Sequence, residues 1–151
     1  MTGTLLLGIG NIHREDDGVG PKCVDLVSFP GVHRLVVQQL VPELAETIRD
    51  YERVVFVDAS LRGGTAELGP LLPRDTDTSF PLTHGMTCEG LLALTEALYG
   101  RVPKAFLLSI PGVSFGHGEN LSARALENME EARGILERFF RSGTAADPSH
   151  N

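Results

Sequence analysis

Two kinds of block alternate along the chain: short unbroken apolar runs, and longer stretches with apolar residues three or four apart. Thr4 to Ile9 (TLLLGI), Arg53 to Asp58 (RVVFVD) and Ala105 to Ile110 (AFLLSI) are of the first kind. Runs of that length read as strands buried on both faces. Leu35 to Val37 predicts a further strand, and Thr65 to Leu72 a short edge strand. In the second kind, Val19, Cys23, Leu26 and Val27 recur at helical spacing until Phe29-Pro30-Gly31 stops them. Pro42 opens a helix with Glu43 in its first turn and Leu44, Ala45 and Ile48 inward. Proline suits that place because its missing N–H would be unpaired there anyway. Leu91, Leu92, Leu94, Ala97 and Leu98 predict a helix from about Thr87 to Tyr99, closed by Gly100. The last helix is predicted from about Ser122 to Arg141, with Ser122 as N-cap. Ala125, Leu126, Met129, Ala132, Leu136, Phe139 and Phe140 form its apolar stripe; Glu127, Glu130, Glu131, Arg133 and Arg138 fall largely outside it.

Strands separated by helices of this length pair in parallel through crossover connections. The expected fold is a single-domain α/β three-layer sandwich: a parallel-rich twisted sheet with helices on both faces. The domain is expected over residues 1–141, with 142–151 as a loose tail that has lost the apolar pattern. Ligands of such sheets gather outside the carboxyl ends of the strands, which fixes where to look for chemistry.

Composition narrows the function classes. A length of 151 residues suits one domain. The formal charge of −7 disfavours nucleic-acid binding, which rests on phosphate neutralisation. No apolar run approaches the roughly 20 residues that span a bilayer, so no membrane association is expected. The first ten residues lack the basic flank of a secretion signal. Cys23 and Cys88 form no CxxC and read as free thiols of a cytoplasmic protein. With no heptad pattern, a monomer is expected.

Three loops at the strand ends hold candidate chemistry. The first runs Gly8-Ile9-Gly10-Asn11-Ile12-His13-Arg14-Glu15-Asp16-Asp17-Gly18-Val19-Gly20. It is not a dinucleotide loop: the third glycine would fall at His13, and Glu15-Asp16-Asp17 would repel a pyrophosphate, so no nucleotide is expected. Three consecutive carboxylates fit either capping of the following helix or a cation site. Asp58 follows the apolar Val54–Val57 run, as a turn-starting residue or as a group at the sheet rim. His84, in Leu82-Thr83-His84-Gly85-Met86-Thr87, precedes a helix and is either a surface histidine or a ligand. Asp17, Asp58 and His84 can converge at one rim. Two carboxylates and an imidazole suit a borderline divalent ion such as Zn²⁺ or Ni²⁺ and leave a position open.

Ser109, Ser114 and Thr87 are nucleophile candidates without a GxSxG context. Pro111 to Asn120 (PGVSFGHGEN) holds His117 and Glu119 and reads as a plain surface connection or a binding loop. His13, His33 and His150 read as solvated, and Gln38-Gln39 as rim or loop residues.

From Leu5 to Arg141 the chain resembles the hydrogenase maturation endopeptidases. The resemblance is carried by Leu7-Gly8-Ile9-Gly10-Asn11 with Glu15-Asp16-Asp17-Gly18-Val19-Gly20, by Val55-Phe56-Val57-Asp58-Ala59, and by Thr83-His84-Gly85-Met86 before a helix. It implies an endopeptidase that removes the carboxy-terminal extension of a [NiFe] hydrogenase large-subunit precursor once nickel is in place. By position it implies Asp17, Asp58 and His84 as the metal-contacting and catalytic residues, with nickel supplied by the precursor. Glutamate replaces Asp17 in some members; some carry an acid near the end of the second strand, where this chain has Gln38-Gln39. That difference points to a subgroup with another partner hydrogenase. A non-catalytic nickel carrier or assembly checkpoint would use the same residues. A hydrolase of small acidic substrates is disfavoured by the acidic first loop.

Overall fold

The computed structural model describes residues 3–74 and 86–142. Ten elements follow one another: β1 (Thr4–Ile9), a 3₁₀ turn (Glu15–Gly18), α1 (Val19–Leu26), β2 (Val32–Val37), α2 (Leu44–Ile48), β3 (Arg53–Ser60), β4 (Glu67–Leu71), α3 (Cys88–Tyr99), β5 (Lys104–Pro111) and α4 (Ala123–Arg141). The strand order is β2-β1-β3-β5-β4. β2, β1, β3 and β5 are parallel, and β4 runs antiparallel to β5 at the edge. The expected sandwich is therefore present.

The three apolar runs became the central strands because helices cover both faces. Leu6, Val55, Val57, Phe106 and Leu108 pack against α1 and α4, whereas Leu5, Leu7, Val54, Phe56 and Ala105 pack against α2 and α3. All ten of these side chains are buried. Fully burying each larger one contributes about 1.5–3 kcal/mol relative to exposure.

The helices start where capping chemistry allows. Thr87 Oγ1 accepts from Gly90 N at 3.0 Å, and Ser122 Oγ from Ala125 N at 3.1 Å. Each thereby satisfies one first-turn amide that has no helical partner. The 19 residues of α4 span about 28 Å.

Four expectations about faces and ends change. Leu126 is 47% exposed and Leu98 60%, so neither belongs to the buried stripe of its helix; Ala97 is exposed too. Leu26, the last residue of α1, also faces solvent, and the helix ends three residues before Phe29. β2 begins at Val32, earlier than the apolar run suggests, because an edge strand tolerates the exposed His33 and Arg34. β4 is the expected edge strand, slightly shorter. The expected tail lies, beyond Ser142, outside the described residues, as does His150. Among the described residues no helix is long and apolar enough to cross a membrane.

Candidate active site

Parallel register sets the site. Ile9 at the end of β1 lies opposite Val37 of β2 on one side and Asp58 of β3 on the other, and Asp58 lies opposite Ser109 of β5. The loops after β1, β3 and β5 therefore leave the sheet at one rim. Asp58 continues the face of Val54 and Phe56, because side chains two apart on a strand point the same way. It is only partly exposed, beside the start of α3.

Asp17 comes to the same rim by a different route. After Gly10 the chain folds back, and Asn11 N donates to Asp17 Oδ2 at 2.7 Å. A Cβ on Gly10 would stand 1.9 Å from the Asp17 carbonyl oxygen, so only glycine permits this close return. Asp58 Oδ1 accepts from Ala59 N at 2.8 Å. Among the described residues, Asp17 Oδ1 and Asp58 Oδ2 accept no hydrogen bond.

Burial raises the Asp58 carboxyl from 3.8 to about 6. The hydrogen bond from Ala59 opposes that rise, and the Asp17 charge adds to it. The Asp17 charge thus reaches Asp58, which sets the two carboxylates near one another. Cys88, the first residue of α3, is buried, and burial with the Asp58 and Glu89 charges pushes its thiol far up. Both cysteines are free, as expected, and the shift makes Cys88 a neutral wall rather than a nucleophile. His84 lies outside the described residues. Among the described residues no group of three His, Cys, Asp or Glu is placed to hold a metal ion.

The other two acids of the first loop do something the sequence did not reveal. Neither the 3₁₀ turn nor α1 has a side-chain cap, so the acids lie just ahead of α1 without a capping hydrogen bond to it. Asp16 is instead fully buried and accepts four hydrogen bonds: from Val113 N at 2.8 Å, Ser114 N at 2.9 Å, Ser122 N at 2.8 Å and Ser122 Oγ at 2.7 Å. Burial alone would raise its pKa, but these bonds outweigh burial and hold it below the ordinary value. Glu15 Oε1 accepts from Ser114 Oγ at 3.0 Å and Gly116 N at 2.7 Å. Glu15 N donates to Gly118 O at 2.8 Å. Glu15 adopts φ +52°, a left-handed conformation costing about 1–2 kcal/mol without glycine, which these bonds offset.

The Pro111–Asn120 segment is therefore no plain connection. It is tied to the first loop, and Ser114 and Thr87 are used in bracing and capping rather than as nucleophiles. One sequence signal was available: the glycines of the segment. A Cβ on Gly112 would stand 2.7 Å from the Asp16 Cβ. His13 and His33 are solvent-exposed, as expected, and His33 Nδ1 lies 2.8 Å from Tyr51 Oη. Three large apolar side chains stand exposed on the loops around the carboxylates: Ile12, Leu61 and Val113. A cavity of about 1040 Å³ opens at the opposite end of the sheet, between Thr4, Phe29, Arg53 and Phe140. It is remote from these carboxylates, so it does not locate the chemistry.

The chain is similar in structure to several solved maturation endopeptidases. The hydrogenase maturating endopeptidase HybD from E. coli superposes with a TM-score of 0.73 at 18% identity, covering 94% of each chain. The [NiFe] hydrogenase maturation protease HycI from Thermococcus kodakarensis KOD1 gives 0.67 at 24% identity, covering 90% of each chain. The hydrogenase 2 maturation peptidase from Thaumarchaeota archaeon SCGC_AB-539-E09 gives 0.65 at 24%, covering 90% of this chain and 96% of its own. No protein-family model matches the sequence, and no curated protein matches it. At these identities the likeness establishes a shared fold, and it agrees with the resemblance read from the three sequence motifs.

Proposed function

We propose that this chain is a hydrogenase maturation endopeptidase, cutting the carboxy-terminal extension from a [NiFe] hydrogenase large-subunit precursor after nickel insertion. The observation that carries the reading is that Asp17, in the turn after β1, and Asp58, on β3, come to one rim of a fold shared with such endopeptidases. In this reading Asp17, Asp58 and His84 contact nickel already seated in the precursor. Each open carboxylate oxygen supplies a hard donor, and an imidazole completes a set suited to that ion. The nickel is substrate here, and a precursor without it lacks the contact and is not cut.

Peptide hydrolysis needs a water deprotonated and a leaving amine protonated. Alternatively Asp58, whose carboxyl burial raises to about 6, is the base that takes a proton from water while Asp17 and His84 hold the metal. The proton then passes to the leaving nitrogen. Nickel near the scissile carbonyl would supply Lewis-acid polarisation. A protein substrate docked at this rim would cover the exposed Ile12, Leu61 and Val113.

The test is cleavage of nickel-loaded and nickel-free precursor by wild type, Asp17→Ala, Asp58→Ala and His84→Ala, read as mass loss of the extension. Wild type should process excess nickel-loaded precursor, and the folded variants should not. Efficient cutting of nickel-free precursor would overturn the gating role. Stoichiometric binding without turnover would instead make the protein a carrier.

A further inference from the structure

We propose that the open edge of β2 is a strand-addition subsite, holding an extended segment of the substrate a few residues from its scissile bond. The proposal rests on the endopeptidase reading above.

The two edges of the sheet differ. β4 runs antiparallel and carries Pro70, which has no N–H to offer another strand. Among the described residues β2 pairs only with β1, and it has no proline between Val32 and Val37. Its pairing parity follows from the bonds at its two ends. Thr4 N donates to Gly31 O at 3.3 Å, and Gly10 N donates to Val37 O at 3.0 Å. In a parallel ladder each residue turns its N–H and C=O to the same side, and sides alternate. Odd-numbered residues of β2 therefore face β1, while Val32, Arg34 and Val36 face outward. Val32 N is used by Phe29 O at 3.2 Å. The amides of Arg34 and Val36 have no partner among the described residues.

The Arg34 guanidinium folds back to Val27 O at 2.9 Å and Asp25 O at 3.4 Å, toward the end of α1. Val36 is 42% exposed. A groove of about 570 Å³ runs alongside, lined by Asp25, His33, Arg34, Leu35 and Val36. Natural edges of this kind are ordinarily blunted, because open amides template pairing with another chain.

The edge is continuous with the candidate site, which selects the occupant. Val37, Ile9 and Asp58 share one register level, so the edge ends at the height of the carboxylates. A strand added outside β2 would lie three strand spacings from β3, or about 14 Å at ~4.8 Å each. About four extended residues at ~3.3 Å cross that distance over the ends of β2 and β1. A peptide paired at Arg34 and Val36 would therefore present to Asp17 and Asp58 a bond about four residues away.

The test adds nickel-loaded precursor to the whole protein and follows amide hydrogen exchange at Arg34 and Val36. Cleavage by wild type and Val36→Pro is measured alongside. Proline removes an outward amide that no native ladder uses, so the sheet should survive. Expected are at least tenfold slower exchange at both amides and at least a tenfold lower kcat/KM for Val36→Pro, chiefly through KM. Cleavage by wild type with no protection overturns the subsite. Protection already present without precursor also overturns it and assigns the edge to a second copy. Protection with no cleavage by wild type keeps the subsite and overturns the endopeptidase reading. Neither protection nor cleavage overturns both.

Discussion

Replacing Asp58 by asparagine should stabilise the fold at neutral pH while ending cleavage. The reasoning starts from burial, which raises the carboxyl from 3.8 to about 6 against the bond from Ala59. A raised acid binds its proton more tightly folded than unfolded. Below about pH 3.8 Asp58 is protonated in both states and costs nothing. Between pH 3.8 and 6 the unfolded chain ionises first, so stability falls as pH rises. Above pH 6 the loss is complete, at most about 3 kcal/mol from 1.36 kcal/mol per pKa unit. Asparagine keeps the Oδ1 that accepts from Ala59 and never ionises, but its NH₂ brings donors that also need partners. The net gain at pH 8 should be about 1–3 kcal/mol, or about 2–4 °C in Tm per kcal/mol for a domain this long. At pH 3.5 it should vanish. Urea unfolding of both proteins from pH 3.5 to 8, with chelator present, measures the difference, because titrating groups that do not feel the Asp58 charge cancel. A gap of the same size at both ends of that range would refute the argument, and so would a less stable variant at pH 8. Asp17→Asn offers an internal check: removing that charge should lower the Asp58 pKa in a carboxyl NMR titration.

Asp16→Ala should cost about 3 kcal/mol or more, since it orphans the amides of Val113, Ser114 and Ser122 and the Ser122 hydroxyl. Hydrogen exchange over 113–122 should accelerate, and exchange confined to wild-type rates would sink the clamp. The pH sense is opposite to that of Asp58: a depressed acid contributes its stability above about pH 3.8 and loses it as pH falls through the folded value. On α4, Leu136→Ala should cost about 2–5 kcal/mol and Leu126→Ala within about 0.5, because Leu136 is fully buried and Leu126 is not. Equal losses in chemical denaturation would show the two faces to be wrongly assigned.

The central strands were legible because burial on both faces leaves a run such as Val54–Val57 no polar position. Edges and helix flanks were less so. His33 and Arg34 look like loop in sequence, yet an edge strand with one partner can expose them. Leu98 and Leu126 have helical spacing, but spacing fixes an angle around the axis and not how far the neighbouring layer extends.

The acidic run is the clearest case of order failing to reveal direction. Read as sequence, Glu15-Asp16-Asp17 is one patch of accumulated charge that a cation would relieve. The chain enters a 3₁₀ turn at that point, with Glu15 left-handed at its start, so the three side chains leave in different directions. Glu15 is thereby sent to Gly116 and Ser114, Asp16 into the amides of 113–122, and Asp17 back onto Asn11 N at the rim. Each carboxylate finds its own donors, so the three charges diverge instead of sharing one patch. Two of the three acids thus hold a neighbouring loop against the turn that positions the third. The position of Asp17 near Asp58 depends on residues that never reach the rim, so a sequence motif can name a candidate acid without showing what fixes its place.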